Sequence, residues 1–178
     1  MNLFWLRAAL LADPHVVKMP LEYTQLLSTV YYLHQQVPPS GYRATHKAHP
    51  CAVWAAQSLR HWRAVAMLAF DALREYARRF GRTHKCYYKV TRMMRQPPIF
   101  GAPPTFKEST VLGTHGSFKD VPLCMPVEFH HARASVAYHR YYLHKLHTVP
   151  RCSRWYKGKR RALHFVAVAG SLARLARA

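Results

Sequence analysis

Acidic residues are scarce in this chain of 178 residues. Seven Asp and Glu stand against 27 Lys and Arg, and the formal net charge at pH 7 is +20. A folded protein this basic repels itself unless a polyanion neutralises it, and nucleic acid is the commonest such partner. The shortage of acids therefore makes a merely solvated basic surface the weaker explanation. It predicts binding to nucleic acid, mainly through the phosphate backbone.

Long apolar runs are also missing. A membrane-spanning helix needs about 20 consecutive apolar residues, whereas the run at 165–169 is far shorter and the stretch 3–11 is interrupted by Arg7. No membrane partner is therefore expected. Half of the residues are nevertheless hydrophobic, so the chain can bury a core, and its length suits one domain.

Cysteine is sparse and widely spaced, and no C-x-x-C pair occurs. This pattern argues against a disulfide scaffold or a zinc ribbon and favours a reducing, intracellular compartment. No secretory signal is recognised at the start, and the first twelve residues carry an arginine but no acid, which is compatible with organelle import. We therefore expect a mitochondrial location, with another intracellular setting, viral or nuclear, as the alternative. The cysteines are Cys51, Cys86, Cys124 and Cys152.

The remaining pattern is helical. Asp13-Pro14 is typical of a helix start, with Asp13 at the N-cap, and this helix is predicted to run to about residue 35 with a kink at Pro20. Gly81 is the expected C-cap of one long helix, or two, over 51–80. Apolar spacing predicts further helices over 84–96, 127–146 and 162–178.

Two segments depart from this pattern. Residues 97–126 are rich in Pro and Gly and show no helical period, so we predict a long loop that is functional or draped over a partner. Residues 151–161 contain six Lys and Arg and no acid. The predicted architecture is all-α, or nearly so: a single helical nucleic-acid-binding domain over 1–178, with an extended loop at 97–126 and a basic C-terminal extension over 151–178.

One candidate catalytic group lies in the first helix. His15, Lys18 and Glu22 are spaced i, i+3 and i+7, which places them on one helix face. An amine beside a carboxylate is what a Schiff-base DNA glycosylase needs: the amine attacks the sugar C1′ and the carboxylate stabilises the developing cation and moves protons. Lys18 and Glu22 also fit an ordinary i,i+4 ion pair, and spacing alone favours that simpler interpretation.

Several sequence patches are similar to a known family. The segment 11–15 (Leu-Ala-Asp-Pro-His), continued through Glu22 and Tyr23, resembles the first helix of the phage pyrimidine-dimer DNA glycosylases of the endonuclease V type. The segment 154–159 (Arg-Trp-Tyr-Lys-Gly-Lys) resembles the C-terminal loop by which that family contacts the damaged strand. The patches at 45–51 and 81–85 resemble related phage proteins.

The resemblance implies a compact helical fold, DNA as the ancestral ligand and a glycosylase/abasic-site lyase reaction. It carries over His15 and Glu22 as site residues. The family's nucleophile is an α-amine, and here that role falls either to Met1 or to Lys18. Pro14, Leu21 and Gln25 depart from the family's pattern. The strand contacts carried over are Trp155, Tyr156 and Lys157.

Histidine is common, with thirteen residues, and raises the question of a metal site. The spacings match no standard zinc module. The expectation is therefore histidines close to phosphates, with no metal and no cofactor. The residues considered as ligands are His46, His49, Cys51, His84 and Cys86.

Two functions of different classes follow. The first is a non-catalytic, RNA-binding subunit of a large ribonucleoprotein of the mitochondrial-ribosome type, in contact with rRNA and neighbouring proteins. The second is an active DNA glycosylase/abasic-site lyase that uses Glu22, His15, Lys18 and Met1. Cations spread along the whole chain favour the first, because a sliding repair enzyme needs one basic face. A DNA-packaging role ranks last, because Lys/Ala repeats are absent.

The expected nucleic-acid contacts form two groups, with Tyr87 and Tyr88 as additional stacking candidates. The first group lies just before and within the helix predicted over 84–96. The second lies in the C-terminal extension. They are Arg82, Lys85, Lys89, Arg92, Arg95, Arg151, Arg154, Trp155, Tyr156, Lys157, Lys159, Arg160 and Arg161.

Overall fold

The computed structural model describes residues 6–150 and Arg154. This part of the chain is mostly helical, as predicted, with one small antiparallel sheet. None of its helices combines the length and apolarity needed to cross a membrane. The elements are α1 (Asp13–Leu33), α2 (Pro50–Ala55), α3 (Leu59–Phe80), α4 (Tyr87–Arg95), β1 (Leu112–His115), β2 (Phe118–Pro122) and α5 (Ala134–Thr148), with short 3₁₀ helices at Ala8–Leu10 and Val127–Phe129. The helix predicted over 162–178 lies outside the described residues.

Helix α1 begins one residue earlier than the sequence suggests. Ala12 is the N-cap, in extended conformation, and Asp13 is the first helical residue. The prediction of Asp13 as the N-cap is wrong because its carboxylate has a stronger partner: Arg79 donates from Nη1 at 2.9 Å. The helix continues through Pro20 to Leu33, and the Thr24 hydroxyl donates to the Pro20 carbonyl at 2.6 Å.

The interval 51–80 contains two helices, α2 and α3. The sequence allowed either one long helix or two in this interval. Ser58 begins α3 by accepting a hydrogen bond from the His61 amide, and Gly81 ends it in the left-handed conformation with φ of 65°. Glycine adopts that conformation without steric cost. The alanines on the inner face of α3 bring it close to α1, and Trp62 donates to the Leu27 carbonyl at 3.3 Å.

The prediction of an irregular loop over 97–126 is wrong for its second half. Strands β1 and β2 form a hairpin whose turn contains Gly116 at φ of 56°. The hairpin packs on α2 and α3, where Trp54 donates to Asp120 at 3.2 Å and Val121 is fully buried. The strands are only four and five residues long, and such short runs among prolines carry too weak an alternation to read from sequence.

Helix α5 begins later than predicted, because the start of the interval 127–146 forms a 3₁₀ turn and α5 begins only at Ala134. Two fully buried tyrosines attach it to the rest of the fold. Tyr138 donates to the Pro122 carbonyl at 2.7 Å, and the Tyr142 hydroxyl accepts from the Ala12 amide at 2.7 Å. Helix α5 therefore joins the hairpin to the start of α1.

Candidate nucleic-acid interface and candidate active site

Helix α4 separates apolar from basic side chains. Its inner face buries Val90 and Met93 against the core. The helical repeat therefore turns Arg92 and Arg95 outward, and both are exposed. The cations and tyrosines of this helix and of the loop before it are here called the α4 face. Its members are Arg82, Lys85, Tyr87, Tyr88, Lys89, Arg92 and Arg95.

Aromatic rings lie directly beside these cations. Tyr88 is 73% exposed and Tyr87 is 42% exposed, and their ring centroids are 5.5 Å apart in an edge-to-face arrangement. Both tyrosines, together with Arg92 and Arg95, line a surface cavity of about 600 Å³. Exposed aromatic rings of this kind offer stacking surfaces to unpaired bases, while arginines reach the phosphates.

The α4 face contains no acid. The sequence has no Asp or Glu between Glu75 and Glu108, and the five α4-face cations form no ion pair with any described residue. Two of them contact aromatic groups instead: Lys89 Nζ lies 5.1 Å from the centroid of Tyr42, and Arg82 Nε donates to the Tyr76 hydroxyl at 3.0 Å. Their charge is therefore not neutralised within the described fold.

A second cavity, of about 590 Å³, connects this region to α1. Three cations line it, Lys18, Arg82 and Lys85, together with Tyr42 and Tyr76, and none of its described lining residues is acidic.

A histidine holds the loop that carries two of these cations against α1. The ring of His84 also lines the second cavity, and its Nε2 lies 3.2 Å from the Val17 carbonyl. Burial lowers the pKa of His84, with a smaller opposing effect of that hydrogen bond. The ring is therefore less ready to protonate than a free histidine, and it links the loop to α1.

The predicted catalytic group is only partly assembled. Lys18 Nζ and Glu22 Oε1 are 2.7 Å apart, and the side chain of Lys18 is 66% exposed whereas that of Glu22 is 13% exposed. The ion pair predicted by i,i+4 spacing is therefore present, and Lys18 lines the second cavity whereas Glu22 does not. Met1, the other candidate amine, lies outside the described residues.

His15 is buried and connects two helices. Its Nδ1 lies 3.2 Å from the Tyr142 hydroxyl, which accepts from the Ala12 amide. Burial, followed by the nearby charges of Lys145 and Lys18, lowers the pKa of His15 to about 4. The ring is therefore neutral near pH 7. Its contact with Tyr142 holds α1 against α5.

The C-terminal contact group lies largely beyond the described residues. Arg154 is exposed, and its carbonyl accepts from the Asp13 amide at 2.9 Å, so the chain returns to the start of α1. The other members predicted in this group are outside the described part of the chain: Arg151, Trp155, Tyr156, Lys157, Lys159, Arg160 and Arg161.

The structure brings together one cluster of which sequence reasoning considered two members, His49 and Cys51, and missed the third, Cys124. The ligand atoms of His49, Cys51 and Cys124 all lie within 4.8 Å of one another, and the two sulfurs are 3.5 Å apart. Burial lowers the pKa of His49 to about 4. No sequence signal identifies the trio, because the two cysteines are 73 residues apart. The prediction of no metal site considered spacing along the chain only and did not include Cys124.

No protein-family model, curated protein or solved structure was found to match this chain.

Proposed function

We propose that this chain binds nucleic acid and that the α4 face holds the phosphate backbone. The observation that carries the proposal is a surface of five cations without an acidic partner among the described residues, set beside the exposed rings of Tyr87 and Tyr88. Each phosphate neutralised by a lysine or arginine releases condensed counterions, which drives binding. The rings add stacking energy that depends little on base identity.

RNA within a large ribonucleoprotein of the mitochondrial-ribosome type is the proposed physiological ligand, with a structural rather than catalytic role. The cations extend well beyond α4 into the basic run at 151–161. A protein embedded in RNA contacts phosphates on several sides, and a net charge of +20 is suited to that environment.

Sedimentation of the native protein from a gentle lysate, with and without RNase, tests the ribonucleoprotein role. We expect the protein to travel with a heavy particle and to move to the top of the gradient after RNase. A protein that stays light in both gradients contradicts the structural role, while leaving nucleic-acid binding by the α4 face to be decided separately.

A matched pair of double variants tests the α4 face itself. Arg92→Ala with Arg95→Ala removes two charges from it, and Arg63→Ala with Arg74→Ala removes two exposed charges from α3. The slope of log K against log salt should decrease by about 1.4 to 1.8 in the first variant, because each lost phosphate contact removes about 0.7 to 0.9. The α3 variant should keep the wild-type slope. Equal slopes in both variants would exclude α4 as the interface.

The second candidate function is a DNA glycosylase/abasic-site lyase on a fold of the pyrimidine-dimer glycosylase type. The pairing of Lys18 and Glu22 at 2.7 Å, with Lys18 lining a cation-rich cavity, favours it. In this reaction an unprotonated amine attacks C1′ and displaces the base, which leaves as the glycosidic bond breaks and takes up a proton. The sugar ring then opens at C1′ to give the Schiff base, while the carboxylate stabilises the sugar cation and moves protons. A flipped pyrimidine would occupy the cavity.

Borohydride trapping on abasic-site and pyrimidine-dimer DNA tests this alternative. An active enzyme forms a covalent adduct that is lost in Glu22→Gln. Lys18→Ala distinguishes the two candidate amines, because its adduct disappears if Lys18 is the nucleophile and persists if the N-terminal amine is. No adduct from wild-type protein that binds DNA normally excludes the lyase reaction.

A further inference from the structure

None of the three residues His49, Cys51 and Cys124 belongs to the α4 face or has a role in the functions proposed above. His49 is the N-cap of α2, Cys51 is the second residue of that helix, and Cys124 follows β2. Cys51 is fully buried and Cys124 is half-buried. Three nitrogen and sulfur donors thus converge from two segments that are distant in sequence.

We infer that His49, Cys51 and Cys124 bind one thiophilic divalent cation, of which Zn²⁺ is the best match. In a tetrahedral site with zinc–sulfur bonds of about 2.3 Å, two sulfurs are separated by about 3.8 Å. The sulfurs of Cys51 and Cys124 are 3.5 Å apart, and the third donor lies within 4.8 Å of both. Small side-chain adjustments are enough for one ion to reach all three ligands.

Charge favours the same ion. Zn²⁺ displaces the protons of both thiols and binds the two thiolates and a neutral imidazole, so that the site as a whole is uncharged. An uncharged complex is tolerated at a buried position, whereas an isolated dication is not. Three protein ligands leave the fourth position to water or another ligand, as in zinc sites that are not purely structural.

The chain contains a natural control for this arrangement. His84 and Cys86 repeat the His-x-Cys pattern of His49 and Cys51, and in both pairs the histidine Nδ1 accepts from the cysteine amide at 3.1 Å. Cys86 contacts the Tyr42 hydroxyl at 3.6 Å, and no third ligand joins this second pair among the described residues. Metal binding by His49, through Nδ1 or through Nε2 after a change of tautomer, ends the hydrogen bond that Nδ1 accepts from the Cys51 amide. The difference between the two pairs is therefore Cys124.

Titration of the full chain with Co²⁺ under reducing conditions tests the site. We expect one equivalent to bind with a thiolate-to-cobalt charge-transfer band, and Zn²⁺ to displace it. Cys124→Ser should weaken binding by more than the roughly 10–100-fold that loss of an outer-sphere partner costs. Cys86→Ser should bind like the wild type, and Cys124→His should recover part of the affinity.

Two further measurements use only the wild-type protein and therefore test the metal site even if a variant folds poorly. Zn²⁺ should raise the Tm of wild-type protein and a chelator should reverse the increase, because the ion joins α2 to the end of the hairpin. Metal analysis of protein purified without chelator should give about one zinc per chain. Absence of the charge-transfer band and of a Tm shift in the wild type overturns the inference, as does unchanged Co²⁺ affinity in folded Cys124→Ser.

Discussion

Helix α3 contains five arginines and α4 contains two, and the arginines of the two helices have different partners. Near the end of α3, Arg79 is 7% exposed and donates to Glu75, to Asp13 and to carbonyls of the 3₁₀ segment Ala8–Leu10 and of Leu11. Arg78 also pairs with Glu75, at 2.6 Å. On α4, Arg92 and Arg95 are exposed and form no ion pair with any described residue.

The difference shows why a count of positive charges does not locate a binding surface. Four of the seven acids, all on α1 and α3, are in ion pairs with a described lysine or arginine, and a fifth, Asp120, contacts His61. Burial alone would raise the pKa of Glu75, but hydrogen bonds from Arg78 and Arg79 outweigh it and keep that pKa below its usual value. Arginines with such partners stabilise the fold, and those without them remain available to phosphate.

The largest expected effect is on stability. Arg79→Met should lower the free energy of unfolding by about 3–5 kcal/mol, because it removes a buried charge that pairs with Asp13 and Glu75 and leaves buried carbonyls without their donor. Arg92→Met on α4 should change it by no more than about 0.5 kcal/mol. Urea denaturation followed by far-UV circular dichroism measures both. Similar losses in the two variants would remove the distinction between the helices.

Lowering the pH should decrease the free energy of unfolding through the buried residue His15. The pKa of His15 is about 4 in the folded protein and 6.5 ordinarily, so between these values the unfolded chain binds a proton that the folded chain does not. Stability present above pH 6.5 is therefore lost as the pH decreases toward 4. For His15 the loss between pH 7 and pH 5 is about 2 kcal/mol.

His15→Gln isolates that contribution, since glutamine keeps an acceptor for Tyr142 and does not titrate. Its free energy of unfolding should fall less than that of the wild type between pH 7 and pH 5, measured by denaturation at both values. An identical pH dependence in wild type and His15→Gln would disprove the assignment.

The smallest expected effect concerns stacking on the α4 face. Tyr88→Ala should weaken binding to single-stranded RNA by about 1 kcal/mol without changing the salt slope, because a ring contributes stacking and no charge. Tyr88→Phe should bind almost like the wild type. Fluorescence anisotropy at several salt concentrations separates the two contributions. A steeper or shallower slope in Tyr88→Ala would indicate that the ring positions a cation.

The sequence predicted those features of the fold that depend on residues close together in the chain. The mostly helical fold, the end of α3 at Gly81 and the contact of Lys18 with Glu22 follow from helical periodicity, from the conformational freedom of glycine and from i,i+4 spacing. The basic, acid-free character of α4 also follows from sequence. The boundaries were less accurate, as at the start of α5, because a 3₁₀ turn and an α-helix have similar apolar spacing over a few residues.

Contacts between segments that are distant in the sequence were not predicted and became visible only in the tertiary structure. Asp13 is an attractive N-cap by itself, but Arg79 is 66 residues away and holds its carboxylate in the folded chain. Nothing in the sequence indicates that His15 is buried between α1 and α5. That burial lowers its pKa. The nearness of Cys124 to Cys51 depends on the hairpin packing against α2.

The sequence by itself determined the net charge, the helical periodicity and the acid-free character of α4, since composition and nearest neighbours specify them. Only the tertiary structure decided which arginines are neutralised, which histidines are buried and which cysteines meet. Those outcomes depend on contacts between segments far apart in the chain, and periodicity along the sequence carries no information about which distant segments come into contact.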